Sequence, residues 1–240
     1  MFCPHCGTQL SDGLEFCTNC GRSTAADPGA SAGMPPPPYQ ATPGSTSFQP
    51  AGPAKAQTGK WIGEAWSLVT SDWLNFGLAA LVMVAVSSFV PLLLQGAFVA
   101  GLHIMCMKKL LHGRTEVGDL FKGFNYFVPT LIVTILVGIF VFLGMLACIV
   151  PAFVVGAIYL FPYIFIVDQK LEFWPAMEAS HKIVKQDYFG FTLFLLALIG
   201  LQILGALACI IGVLITLPVM YAAITIAYRD IVGFQSQDIS

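Results

Sequence analysis

The sequence predicts an all-α polytopic membrane protein: six transmembrane helices in three hairpin repeats, with interfacial elbow helices, behind a small metal-binding unit at the N-terminus. Three observations predict it. Of 240 residues, 57% are apolar and only 10% charged, far from the average of soluble chains, so water is not the main solvent. The apolar residues concentrate between 73 and 232, whereas residues 1 to 60 are polar and rich in Pro and Gly. Four of the seven cysteines lie in the first twenty residues, as two pairs of equal spacing.

Cys3, Cys6, Cys17 and Cys20 read as C-x2-C, ten residues, then C-x2-C. A two-residue gap lets both sulfurs of a pair turn toward one point, and two facing pairs make the tetrahedral thiolate site that Zn(II) accepts. Gly7 and Gly21 follow the second cysteine of each pair, where freedom in φ lets backbone N–H groups aim at the thiolates. About twenty residues bury too little apolar surface to fold alone, so one structural zinc supplies most of this unit's folding free energy. Iron of the rubredoxin type is the alternative metal. His5, between two ligands, reads as a surface residue. The first 22 residues hold no apolar core of the kind a secretory signal needs, so the N-terminus is expected in the cytosol.

The segment MFCPHCGTQLSDGLEFCTNCGR, residues 1–22, resembles the short zinc-ribbon family found at the N-termini of many bacterial membrane proteins, with its CPxCG and FCxxCG knuckles. The resemblance implies a closed four-cysteine site with Cys3, Cys6, Cys17 and Cys20 as ligands and no open position for substrate. Many zinc ribbons bind nucleic acid. Here the ribbon has one Arg against Asp12 and Glu15, and the chain carries a net charge of -2, so little counterion release would drive such binding. A protein partner is the expectation.

Residues 23–59 hold Pro28, Pro35 to Pro38, Pro43, Pro50, Pro53 and five glycines, with Asp27 and Lys55 as the only charges. That composition makes no packed core and predicts a spacer, with an r.m.s. reach of roughly 35 Å as a flexible coil. The membrane domain is placed at 60–232 and a C-terminal tail at 233–240.

Within that domain the apolar stretches Trp73–Leu111, Tyr126–Val167 and Tyr188–Tyr228 are each too long for one crossing of about 20 residues. Each is read as two helices, broken at Val90-Pro91, near Cys148 to Pro151, and near Cys209 to Gly212. All eleven Lys and Arg fall in the N-terminal region, in 108–122, in 170–185, or at Arg229, and none in the three short turns. By the positive-inside rule both termini and the longer loops are cytoplasmic. The resemblance of the ribbon to a family of bacterial membrane proteins implies a bacterial cytoplasmic membrane, with an equivalent organelle membrane as the alternative.

Repeats support the hairpins. LGMLACIV at 143–150 matches LGALACII at 204–211, and Asp72-Trp73 corresponds to Asp187-Tyr188. The segments 64–76, 177–191 and 117–127 read as elbow helices at the cytoplasmic interface. This pattern, with LFKGF at 120–124, WPAMEAS at 174–180 and AYRD at 227–230, resembles bacterial six-span proteins related to the membrane domain of glycerophosphoryl diester phosphodiesterase. The resemblance implies an architecture over residues 60–232. The separate catalytic domain has no counterpart here, so no such activity is implied.

No Asp, Glu, Lys or Arg lies mid-span, which leaves a proton relay few residues. His103 reads as a hydrogen-bonded packing residue, and Gln95 and Gln202 as links between helices. Gly138, Gly144, Gly200, Gly205 and Gly212 are read as points of close helix approach, and Pro162 and Pro218 as interruptions. No nucleophile–base pair is visible. The expectation is a non-enzymatic membrane-embedded adaptor or regulator whose ribbon contacts a protein. The alternative is a transporter or lipid-handling protein.

Overall fold

The computed structural model describes residues 54–89, 94–147 and 149–235. The chain divides into two units, Met1–Gly44 and Ser45–Ser240, and every described residue belongs to the second. The four ribbon cysteines, the Val90-Pro91 break, Cys148 and residues 236–240 lie outside the described residues.

Among the described residues the structure is helical and without strands. Helix α1 (Thr58–Thr70) buries Trp61, Ala65 and Val69, one stripe at helical spacing, with Lys60 and Glu64 along its edge. After Asp72 the chain turns through 98° into α2 (Trp73–Phe89). Helix α3 (Gln95–His112) follows, then a 310 helix (Val117–Tyr126), α4 (Phe127–Ala147), α5 (Ile149–Ile158) and α6 (Pro162–Gln169). A second amphipathic helix, α7 (Phe173–Val184), leads into α8 (Tyr188–Leu207), where the Asp187 carboxylate caps the first turn by accepting from the Gly190 amide at 2.9 Å. Helix α9 (Cys209–Ile231) completes the unit.

The core is arranged around α3. Every residue from Gly96 to Met107 is buried, on all faces, because α2, α4, α6, α9 and the 310 helix surround it. Small residues allow this. A Cβ on Gly101 would meet the Leu120 carbonyl, and one on Gly123 would meet the Ala97 carbonyl, so α3 and the 310 helix touch backbone to backbone. By contrast α4 and α8 expose Ile139, Phe142, Leu146, Leu193, Leu204 and Leu207. A soluble chain would not present such continuous apolar surface. Among the described residues four helical stretches are long and apolar enough to cross a membrane, Val117–Leu146, Pro151–Gln169, Tyr188–Leu207 and Gly212–Ile231, or five if the bent pair α1–α2 is one span.

The structure corrects several expectations. Helix α9 runs through Pro218 without a break, as neighbouring helices can re-satisfy backbone groups that proline frees. Gly138 and Gly200 have nothing within 4 Å of the place a Cβ would occupy, so they mediate no close approach, whereas Gly144, Gly205 and Gly212 do. Gln95 is exposed in the first turn of α3 rather than linking helices. The packed unit also reaches into the stretch read as spacer: α1 starts at Thr58, and Ala54 is already buried.

Candidate functional site

Polar side chains gather at one end of the helices, where α2, α4 and α8 begin and α3, α6 and α9 end. Contacts across the chain tie this end together. Lys60 donates to Asp230 at 2.7 Å, the Trp61 indole donates to the same carboxylate at 3.2 Å, and Arg229 reaches Glu64 at 2.7 Å, so α1 is fastened to the end of α9. Lys109 meets Asp72 at 3.1 Å, and Asn75 donates both to Asp72 at 2.9 Å and to the Thr115 carbonyl at 3.1 Å. These bonds hold the α1–α2 corner against the end of α3.

Asp119, 5% exposed, is held from several sides. It accepts from Lys108 at 2.7 Å, from the Glu116 amide at 3.1 Å and from Thr115 at 3.4 Å, and Lys122 lies at 3.3 Å. A buried carboxylate persists as an ion only with such neighbours. Asp168, at the end of α6, accepts from the Tyr228 hydroxyl at 2.8 Å and from the Gln235 amide at 3.0 Å, which draws the chain after α9 back onto the bundle. The Ala54 amide donates to Gln186 at 2.8 Å and the Ala56 amide to Asp187 at 3.2 Å. The polypeptide arriving from the N-terminal unit is therefore pinned at the α7–α8 corner.

The interior polar groups are paired with one another. His103 Nδ1 lies 2.8 Å from the Thr225 hydroxyl, which itself donates to the Tyr221 carbonyl at 2.9 Å, and the Tyr221 ring meets the imidazole edge-on at 5.6 Å. The packing role read for His103 agrees with this. Gln202 and Thr216 exchange two bonds, at 3.0 and 3.1 Å, joining α8 to α9 as expected. Thr134 and Tyr163 meet at 3.0 Å. Among the described residues Thr192 carries the one buried side-chain oxygen without a partner, and no cluster of three or more His, Cys, Asp or Glu has the arrangement of a metal site.

Two features escaped the sequence reading. The α3–310 contact had a signal, since Ala97 and Gly101 stand four apart as small residues on one helix. The role of Asp119 had a local signal that was passed over, since its partners Lys108, Thr115, Glu116 and Lys122 all lie within fifteen residues and Glu116 and Asp119 have the spacing of a capping box.

Two apolar clefts open on the sides of the bundle. One, of about 410 Å³, lies between the start of α4 and the α6–α7 connection. The other, of about 810 Å³, runs along Trp73, Gly77 and Leu81 of α2 and is closed on its far side by Leu214 and Ile215 of α9.

Residues 2–24 match the zinc-ribbon domain family, a span that contains Cys3, Cys6, Cys17 and Cys20. The zinc that this family suggests fits the donor set, four thiols in two C-x2-C pairs. The chain is 30% identical over 105 residues to an uncharacterised protein of Mycobacterium bovis and, equally, to one of Mycobacterium tuberculosis. The match covers 44% of this chain and 32% of each relative, so it spans about a third of their length. No solved structure matches. The resemblance to the glycerophosphoryl diester phosphodiesterase membrane domain finds no support in these comparisons. The findings together describe a helical membrane protein that carries an N-terminal zinc-ribbon domain.

Proposed function

We propose that the protein is a membrane-embedded adaptor or regulator, in which a six-span domain presents a cytoplasmic zinc ribbon to a protein partner. The observation that carries this reading is the anchoring of Ala54 and Ala56 to Gln186 and Asp187. The chain from the ribbon joins the membrane unit at its charged end, the end that the positive-inside rule assigns to the cytoplasm. In this reading the spans are α2, α3, α4, α5 with α6, α8 and α9. Each pair follows an elbow: α1, the 310 helix and α7. Trp66, Trp73, Phe121, Trp174, Tyr188 and Phe189, on the elbows or at the first residues of the spans after them, are exposed. Aromatic rings in that position suit the headgroup layer. A closed site of four cysteines leaves no position for substrate, which favours recognition over catalysis.

In-cell crosslinking with mass spectrometry tests the reading by comparing the intact protein with a Cys3→Ser, Cys6→Ser variant. Partners lost from the variant support a recognition module. Identical neighbours for both proteins would demote the ribbon to an accessory. The two apolar clefts favour a second reading, a lipid-handling membrane protein, and lipid transfer measured in liposomes addresses it.

A further inference from the structure

We propose that the cleft between α4 and the α6–α7 connection is a binding site for an amine-bearing zwitterionic glycerophospholipid, of the phosphatidylethanolamine class. Its walls are Val128, Pro129 and Ile132 on one side and Ile166 and Phe173 on the other, an apolar surface suited to an acyl chain. Its rim carries Lys170 and Glu172. The inference rests on the membrane placement of this unit and is independent of the adaptor reading.

Lys170 caps α6 in the left-handed conformation, with φ 52°. Among the described residues it is the only non-glycine with positive φ; Gly113 and Gly233, at the ends of α3 and α9, have the others. An L-residue there carries a steric penalty that glycine avoids, so a lysine in the position suggests that its side chain is used. Lys60, Lys108, Lys109, Lys122, Lys182 and Arg229 have carboxylate partners, and of the remaining described cations, Lys55, Arg114, Lys170 and Lys185, Lys170 alone lines one of the two apolar clefts. Among the described residues Lys170 has none within ion-pair distance. Glu172 is likewise unpaired among them, and as the residue preceding α7 it makes no side-chain bond to that helix.

The rim therefore offers one cation and one carboxylate, two residues apart, at the mouth of an apolar cleft beside Tyr126. That charge pattern complements a headgroup with a phosphate and an ammonium. Phosphate on Lys170 and ammonium on Glu172 would satisfy both, while the acyl chain lies along Ile132 and Ile166. A phosphatidylglycerol can offer Glu172 a hydroxyl but no cation, and a quaternary choline has no N–H to donate to it.

Native mass spectrometry of the full chain in nanodiscs of equal parts phosphatidylethanolamine, phosphatidylglycerol and phosphatidylcholine tests this. We expect retained lipid enriched in phosphatidylethanolamine. Lys170→Gly should lower the total lipid retained about fivefold, the scale of a lost partly screened charge contact, because every class in the mixture carries the phosphate. The same variant should unfold at an equal or higher temperature, because glycine suits the left-handed position. Glu172→Gln should abolish the preference over phosphatidylcholine, and Ile132→Trp should displace the lipid by filling the cleft. Retention in the proportions supplied would overturn the proposal, as would a total retention that Lys170→Gly leaves unchanged. Retention of no lipid at all would overturn it together with the membrane placement.

Discussion

Ser180 of α7 donates to the Ile158 carbonyl at 2.5 Å and accepts from the Phe161 amide at 3.3 Å, bridging the gap between α5 and α6 with one hydroxyl. Pro162 stops the helix there and frees backbone groups that have no water to turn to. Ser180 is fully buried, so the repair is internal.

Ser180→Ala leaves the Ile158 carbonyl and the Phe161 amide without that partner. We expect a loss of about 1 to 3 kcal/mol in unfolding free energy. Denaturant unfolding in detergent micelles measures it, and a variant as stable as the parent would show that the break needs no repair.

Asp119 is nearly buried between Lys108 and Lys122. Asp119→Asn removes the carboxylate and strands the Lys108 ammonium at the end of α3. A cost of about 1 to 3 kcal/mol is expected, because the carboxylate is buried but both lysines keep partial access to solvent. Thermal unfolding should drop for this variant far more than for Glu178→Gln, whose carboxylate meets only Lys182 on an exposed face.

Gly101→Ala places a methyl group into the Leu120 carbonyl, and Gly138→Ala places one into open space. The first should cost about 1 to 3 kcal/mol by overpacking. The second should be neutral or stabilising by up to about 1 kcal/mol, the helix preference of alanine over glycine. Equal effects in an unfolding assay would contradict the close contact between α3 and the 310 helix.

Purified protein should carry about one zinc per chain, the content of a single closed four-thiolate site. Chelation should release the metal and make Cys3, Cys6, Cys17 and Cys20 reactive to thiol reagents while the helical signal is kept. Metal-free protein with every thiol reactive as isolated would remove the ribbon assignment.

Orientation is open to labelling in intact cells with a membrane-impermeant thiol reagent. In a background carrying Cys148→Ala and Cys209→Ala, Arg114→Cys, on the charged end, should stay unlabelled, and Leu146→Cys, at the far end of α4 and 70% exposed, should react. The reverse pattern would place the charged end outside.

Legibility in the sequence followed the range of the interaction. The hairpin break after α8 was readable because Ala208 sits in a local run of small residues, and the α5–α6 break because proline acts on its own turn. The pairing of Gln202 with Thr216 spans one hairpin and was partly legible, since a lone amide in an apolar helix needs a partner. Lys60 and Asp230 are separated by 170 positions, and nothing local marks them as partners. Pro218 misled because its local penalty is absorbed by surrounding helices.

By itself the sequence determined the solvent, the helical class, the cysteine pattern and the ends at which charge collects. Those properties follow from composition and from spacings of a few residues, where hydrophobic transfer and ligand geometry act within one segment. Only the tertiary structure decided that α3 is enclosed on every face, that Lys60 and Trp61 meet Asp230, and that Ala54 and Ala56 are pinned at Gln186 and Asp187. Each depends on which distant backbones come within a few ångströms, and that is set by packing of the whole bundle, with glycine where two backbones touch.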